Sequence, residues 1–277
     1  MRPLGLALII AAALLHAVWN VAFKSVERKH IFMWWAIVAG SLISLPLLNE
    51  PIPSSIWPYA LSSAVMEAAY FTALIRAYER SDFSLVYSIA RGAAPGLLIL
   101  WSFIFLGERL SVEGMIGLAL LVAGLVAVSW SRGAATDFKG ILSALLVALF
   151  ISIYSAIDGA AVRLMSPAAY TVLVMALAGA FIAPVVLVRY GRRLAVAELK
   201  ARWKSIFAVG AIMMLAYILV LKAYSIGQVS YAGTLRESSV VFAALAGWLW
   251  LGEGFGLQRT VGATLAFAGI FILSVMG

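Results

Sequence analysis

An arginine inside an apolar helix is costly to bury, and this chain carries two at corresponding places. Arg91 lies ~2.5 turns into residues 81–109, SDFSLVYSIARGAAPGLLILWSFIFLGER. Arg236 lies at the matching depth of residues 227–254, GQVSYAGTLRESSVVFAALAGWLWLGEG, and both runs leave through the same tripeptide, Leu106-Gly107-Glu108 and Leu251-Gly252-Glu253. A guanidinium at a helix centre costs roughly 2.5–3.5 kcal/mol on insertion scales. The pair is therefore predicted to look inward onto a shared polar cavity. There, a planar fork of N–H donors would hold a carboxylate or a phosphonate. The alternative is structural, with both arginines ion-paired to the intramembrane carboxylates Glu67 and Glu237.

Helix periodicity places further polar and aromatic residues with them, because positions three and four apart share a face. His16, Trp19, Asn20 and Phe23 fall on one stripe; Ile151, Tyr154, Ser155 and Asp158 fall on another; Tyr87 shares a face with Arg91. The predicted substrate-binding set is Trp19, Asn20, Glu67, Tyr87, Arg91, Tyr154, Arg236 and Glu237. Glu67 is also the proton-coupling candidate, or else a counter-ion for one arginine. Trp19 and Tyr154 read as cavity lining, with an interfacial belt as the other reading. His16 reads as a satisfied polar residue, Asp158 as a solvated cap near a span end, and Trp101 as packing. Pro95 is expected to kink its helix and to free backbone groups near Arg91.

The elements that carry these residues follow from composition. The chain has 277 residues, 64% hydrophobic and 12% charged, too few charges to cover a soluble surface. The expected class is an all-α membrane protein with ten transmembrane helices, approximately 4–23, 31–48, 57–78, 82–106, 111–130, 138–158, 167–189, 203–224, 228–251 and 256–276. The first is retained in the mature chain rather than cleaved as a signal peptide. A shift of 146 brings Trp57 onto Trp203, Ala77-Tyr78 onto Ala223-Tyr224 and Ser84 onto Ser230; one residue fewer brings Arg91 onto Arg236. Five-helix units at 1–130 and 141–277, joined by a polar linker at 131–140, would enter the membrane from opposite faces, since five is odd. Residues 189–204 form either a short amphipathic interfacial helix or a solvated basic loop.

The net charge of +8 is explained by membrane orientation rather than by nucleic acid. Fourteen Lys and Arg fall in the joints after the odd spans and four on the other side, which predicts cytoplasmic odd joints and both termini outside. With no cysteine there are no disulfides or thiolate metal sites. No phosphate loop, metal spacing or nucleophile triad is present, so neither a cofactor nor ATP nor an enzyme activity is expected.

On these residues the chain resembles the drug/metabolite transporter superfamily, in particular its EamA-type members. The resemblance is carried by Leu15-His16-Ala17-Val18-Trp19-Asn20, by residues 90–95 running into Phe105-Leu106-Gly107-Glu108-Arg109-Leu110, and by residues 248–253. It covers essentially the whole chain and implies a basket-like fold with cavity walls from spans 1, 3, 4, 6, 8 and 9, and spans 5 and 10 at the back or at a dimer contact. The second unit departs from the first in having Val240 where Pro95 would recur. The expected function is secondary transport by alternating access of a small anionic or zwitterionic metabolite, amino acid-like, across a bacterial inner membrane. Proton coupling or another gradient would drive it, in a monomer or homodimer whose partners are the substrate and the bilayer. An exporter of amphiphilic drugs, an aminophosphonate permease and a passive facilitator are the alternatives.

Overall fold

The computed structural model describes residues 3–24, 26–80, 83–129, 138–239, 241–242 and 257–275. All regular structure among them is helical: α1 (Pro3–Lys24), α2 (Lys29–Ser44), α3 (Trp57–Arg80), α4 (Phe83–Leu106), α5 (Val112–Ser129), α6 (Phe138–Ala161), α7 (Pro167–Ile226), α8 (Val229–Arg236) and α9 (Leu257–Val275), with 3₁₀ turns at Leu45–Leu47 and Ser54–Ile56. Four stretches among the described residues, Lys29–Leu47, Ile89–Leu106, Phe138–Ala161 and Pro167–Ile226, are long and apolar enough to cross a bilayer. Large apolar side chains such as Phe105, Val188 and Phe271 stand exposed on the periphery. Polar and charged residues, among them Glu67, Arg91, Asp158 and Arg236, lie in the interior. That is the inside-out distribution of an all-α membrane protein.

The 60-residue α7 contains two breaks, at Gly191 (φ 75°, ψ 154°) and Arg202 (φ −126°, ψ 19°). It comprises two long pieces, 167–190 and 203–226, joined by a short helix over 192–201. Of the two readings of the basic stretch, the helical one holds. Its inner face carries Ala195 and Glu198, both buried. Glu198 pairs with Arg28 at 3.0 Å and Arg202 at 3.2 Å, and the Ala195 carbonyl accepts from Trp35 Nε1 at 2.8 Å.

Two seams depend on glycine because backbones touch there. A Cβ on Gly210 would sit 2.4 Å from the Ala36 carbonyl oxygen, and one on Gly40 would sit 2.6 Å from that of Gly210, where α2 crosses the 203–226 piece. At the second seam Gly124 meets Gly262 and Ala266 while Gly117 meets Gly269, so α5 and α9 run antiparallel. Close approach through small residues is the usual means of holding helices together in lipid. Gly210→Val is expected to lower thermal stability in detergent by about 1–3 kcal/mol through overpacking. Gly96→Val, with nothing within 4 Å of its Cβ position, serves as a control. Equal melting of both variants would refute the seam's importance.

The Leu-Gly-Glu exit of α4 has a structural explanation. Gly107 (φ 65°) reverses the chain in the left-handed conformation, and Glu108 N–H closes back on the Ser102 carbonyl at 3.1 Å, six residues earlier, satisfying one of the open carbonyls of the helix end. The Glu108 carboxylate then accepts from Val229 N and Ser230 N at 2.9 Å each and from Ser230 Oγ at 2.7 Å. It satisfies the open N–H groups of α8 and complements that helix's positive end. Glu108→Ala is expected to cost roughly 1–3 kcal/mol by leaving buried donors unpaired, read as a lower melting temperature than Glu108→Gln.

Candidate functional site

The two arginines reach the interior from helices whose regular hydrogen bonding is broken beside them. Pro95 lies inside α4 four residues after Arg91, so the Arg91 carbonyl has no i+4 N–H to accept from. On the other side α8 ends at Arg236, and the chain tightens through Glu237 N to Thr234 O and Ser238 N to Leu235 O, both at 3.1 Å. These three-residue closures loosen the second helix without a proline.

Both guanidinium groups are 5% exposed and converge on one carboxylate. Arg91 Nη1 donates to Glu237 Oε2 at 2.9 Å, and Arg236 donates to Glu237 Oε1 from Nε at 3.2 Å and from Nη2 at 3.1 Å. Arg91 Nη2 meets His16 Nε2 at 2.7 Å. Arg236 Nη2 also donates to Ser155 Oγ at 3.4 Å and lies over the Tyr154 ring, 6.0 Å from its centroid. Two positive charges thus converge on the Glu237 carboxylate, a trio that carries one net positive charge.

In front of this trio is a cavity offering about 60 Å³ to the centres of water molecules, room for a few waters or one end of a small solute. Arg91 and Arg236 form part of its floor, and Glu67, Tyr70 and Tyr217 line one side. His16 and Trp19, in edge contact at 4.7 Å, form another. Tyr154 stands between Tyr70 at 5.8 Å and Tyr217 at 6.4 Å, giving a continuous aromatic wall. Met175, Met213 and Met214 complete the apolar part. Beyond the walls implied by resemblance, α2 contributes Ala36 and Ile37, and the 167–190 piece contributes Met175.

Of the predicted set, Trp19, Glu67, Arg91, Tyr154 and Arg236 therefore meet at one cavity. Glu237 does not line it; it is 1% exposed and lies behind the arginines as their counter-ion. The side chains of Asn20 and Tyr87 lie outside the described residues. Trp101 donates from Nε1 to Ser152 Oγ at 3.0 Å, away from the central cavity.

Asp158 is the main correction. It is not a solvated cap but is 0% exposed, because α6 continues to Ala161. It accepts from Ser63 Oγ at 2.5 Å, Tyr170 Oη at 2.8 Å and Tyr217 Oη. Sequence reasoning missed Tyr217, although the shift of 146 places it on Phe71, a residue of the same wall.

A cavity floored by paired charges and lined by membrane-type helices is a place where a small polar solute could sit. The profile of the EamA-like transporter family matches residues 3–130 and 138–275. The chain belongs to the EamA-like transporter family and is a multi-pass integral membrane protein of a transporter, not enzyme, family. Among individual proteins it is similar to multidrug resistance protein EbrB of Bacillus subtilis (strain 168), with 32% identity over 112 residues, 40% of this chain and 95% of that protein. It is also similar to the spermidine export protein MdtI of Shigella flexneri, with 36% identity over 70 residues, 25% of this chain and 64% of that protein. A solved crystal structure matches in fold, with 17% identity and a TM-score of 0.79, over 100% of this chain and 98% of that one.

Proposed function

We propose that this protein is a secondary active transporter of a small zwitterionic, amino acid-like metabolite, working by alternating access across a bacterial inner membrane. The observation that carries the reading is the shared counter-ion: two guanidiniums on one carboxylate leave a net positive floor that favours a substrate's anionic end. Another part of the lining suits an ammonium, with Glu67, Tyr70 and Tyr154 all bordering the cavity. Ten spans in two oppositely inserted units fit the two matched family segments and the antiparallel α5–α9 seam. In such a repeat the substrate lies at the midplane between helices broken near their centres, and Pro95 and the turn at Glu237 are breaks of that kind. A proton gradient drives the cycle, with Glu67 as the cavity-facing carboxyl.

A second reading, export of amphiphilic cations, is favoured by the names of the relatives, EbrB and MdtI. It is also favoured by the three methionines of the wall, an adaptable surface suited to varied ligands. Uptake into proteoliposomes under an imposed pH gradient separates the two, using labelled amino acids, organic anions, spermidine and ethidium. Accumulation of a carboxylate-bearing amine supports the first reading, whereas transport of spermidine or ethidium alone replaces it with the second. Absence of driven flux for every compound would overturn both.

A further inference from the structure

We propose that the helix over 192–201, with the chain on either side of it, is a binding surface for anionic phospholipid headgroups. The inference goes beyond the transport reading and does not depend on which solute is carried.

The depth of this helix in the bilayer follows from where the exposed side chains change character. On the 167–190 piece Leu187 and Val188 are exposed apolar residues, Val188 at 88%, and the next residue, Arg189, is an exposed cation. On the 203–226 piece Trp203 and Phe207 are exposed, and Lys204 stands exposed beside them. Exposed apolar surface on membrane helices belongs with the acyl chains, whereas Tyr and Trp collect at the headgroups. The Arg189 guanidinium lies over the Tyr190 ring, 5.2 Å from its centroid, and the Lys204 ammonium over the Trp203 ring at 5.7 Å. One cation–aromatic pair thus stands at each end of the short helix, at the level of the lipid phosphates.

Charge is sorted across the helix. The stretch from 189 to 204 holds Arg189, Arg192, Arg193, Lys200, Arg202 and Lys204 against a single acid, Glu198. Glu198 is buried against the protein, where Arg28 engages it at 3.0 Å and Arg202 at 3.2 Å. Residues two apart on a helix point about 200° from one another. Arg193 therefore faces away from the buried Ala195, and Lys200 away from the buried Glu198; both are exposed, as is Arg192. Lys29 and Glu27 in the neighbouring joint offset each other. The outward face is left with cations and no acid of its own.

That face discriminates among lipids. Every phospholipid offers a phosphate to an arginine fork. A zwitterionic headgroup also brings a cation, which the crowded Lys and Arg repel, while an anionic headgroup does not. The helix also joins the two pieces that give the cavity Met175 and Tyr217. A lipid held across it therefore bears on both of those walls.

Native mass spectrometry of the full chain in detergent, offered equal amounts of phosphatidylglycerol and phosphatidylcholine, tests the proposal. The wild type is expected to retain phosphatidylglycerol about 10-fold over phosphatidylcholine, and Arg192→Gln/Arg193→Gln/Lys200→Gln to fall to within about 2-fold. Arg76→Gln/Lys139→Gln/Lys222→Gln, which removes the same charge from exposed positions elsewhere, is expected to keep the wild-type preference. Melting of the wild type needs no variant: phosphatidylglycerol should raise the melting temperature above phosphatidylcholine, and high salt should erase the difference. Equal retention or equal melting with the two lipids overturns the proposal. So does a 192/193/200 variant that keeps the preference, or a control variant that loses it as fully. Failure of the transport reading is distinguishable, since it shows as absent flux in the proteoliposome panel.

Discussion

Glu237→Gln is expected to destabilise the protein by about 3–5 kcal/mol, the usual cost of removing one partner from a buried ion pair. Arg91 and Arg236, each 5% exposed, would then face each other across a neutral amide in place of the carboxylate they share. Gln retains one acceptor oxygen where the native residue offers two, so hydrogen bonding fails together with charge balance. Melting in detergent, followed by size-exclusion fluorescence, checks the expectation. The double variant Arg236→Gln/Glu237→Gln restores the original net charge of the trio and is expected to melt above Glu237→Gln alone. A Glu237→Gln protein that melts with the wild type would show that the two guanidiniums have another source of neutralisation.

Arg91→Gln and Arg236→Gln should each weaken transport of a carboxylate-bearing substrate about 10- to 100-fold in half-saturating concentration. A hydrogen bond to a charged group contributes roughly 1.5–3 kcal/mol. The two are not expected to be equal. Arg91 also meets His16, whereas Arg236 also engages Ser155 and the Tyr154 ring. Arg91→Gln therefore disturbs the α1 wall, and Arg236→Gln the α6 wall. Counterflow in proteoliposomes without a gradient isolates binding and exchange from coupling. Ethidium, which has no carboxylate, should be insensitive to either change, and a parallel loss for ethidium would indicate collapse of the cavity rather than loss of an anion site.

Much of this arrangement was legible in the chain. The cost of a guanidinium in hydrocarbon requires Arg91 and Arg236 to look inward, and both border the cavity. Most of the expected spans coincide with described helices, whereas the span expected over 228–251 and the second exit at 251–253 run into residues outside those described; the first exit is a closure at Gly107 and Glu108.

What failed was non-local. Glu237 was grouped with the cavity because it adjoins Arg236, yet consecutive helical residues point about 100° apart, so one faces the cavity and the other the space behind it. Asp158 was read as exposed because its span was ended at 158, and because its donors Ser63, Tyr170 and Tyr217 come from distant parts of the sequence. No local pattern reports such a meeting. Tyr217 was within reach, since its counterpart Phe71 shares the wall, but the repeat was read there for identities and not for matching positions.

The central claim is that the arginine floor receives the anionic end of the substrate while Glu67 and the aromatic wall receive the cationic end. A structure determined with a transported amino acid bound tests it most directly. The account predicts the ligand carboxylate against Arg91 and Arg236 and its ammonium beside Glu67. A ligand seated the other way round, or held outside the chamber between these residues, would contradict it.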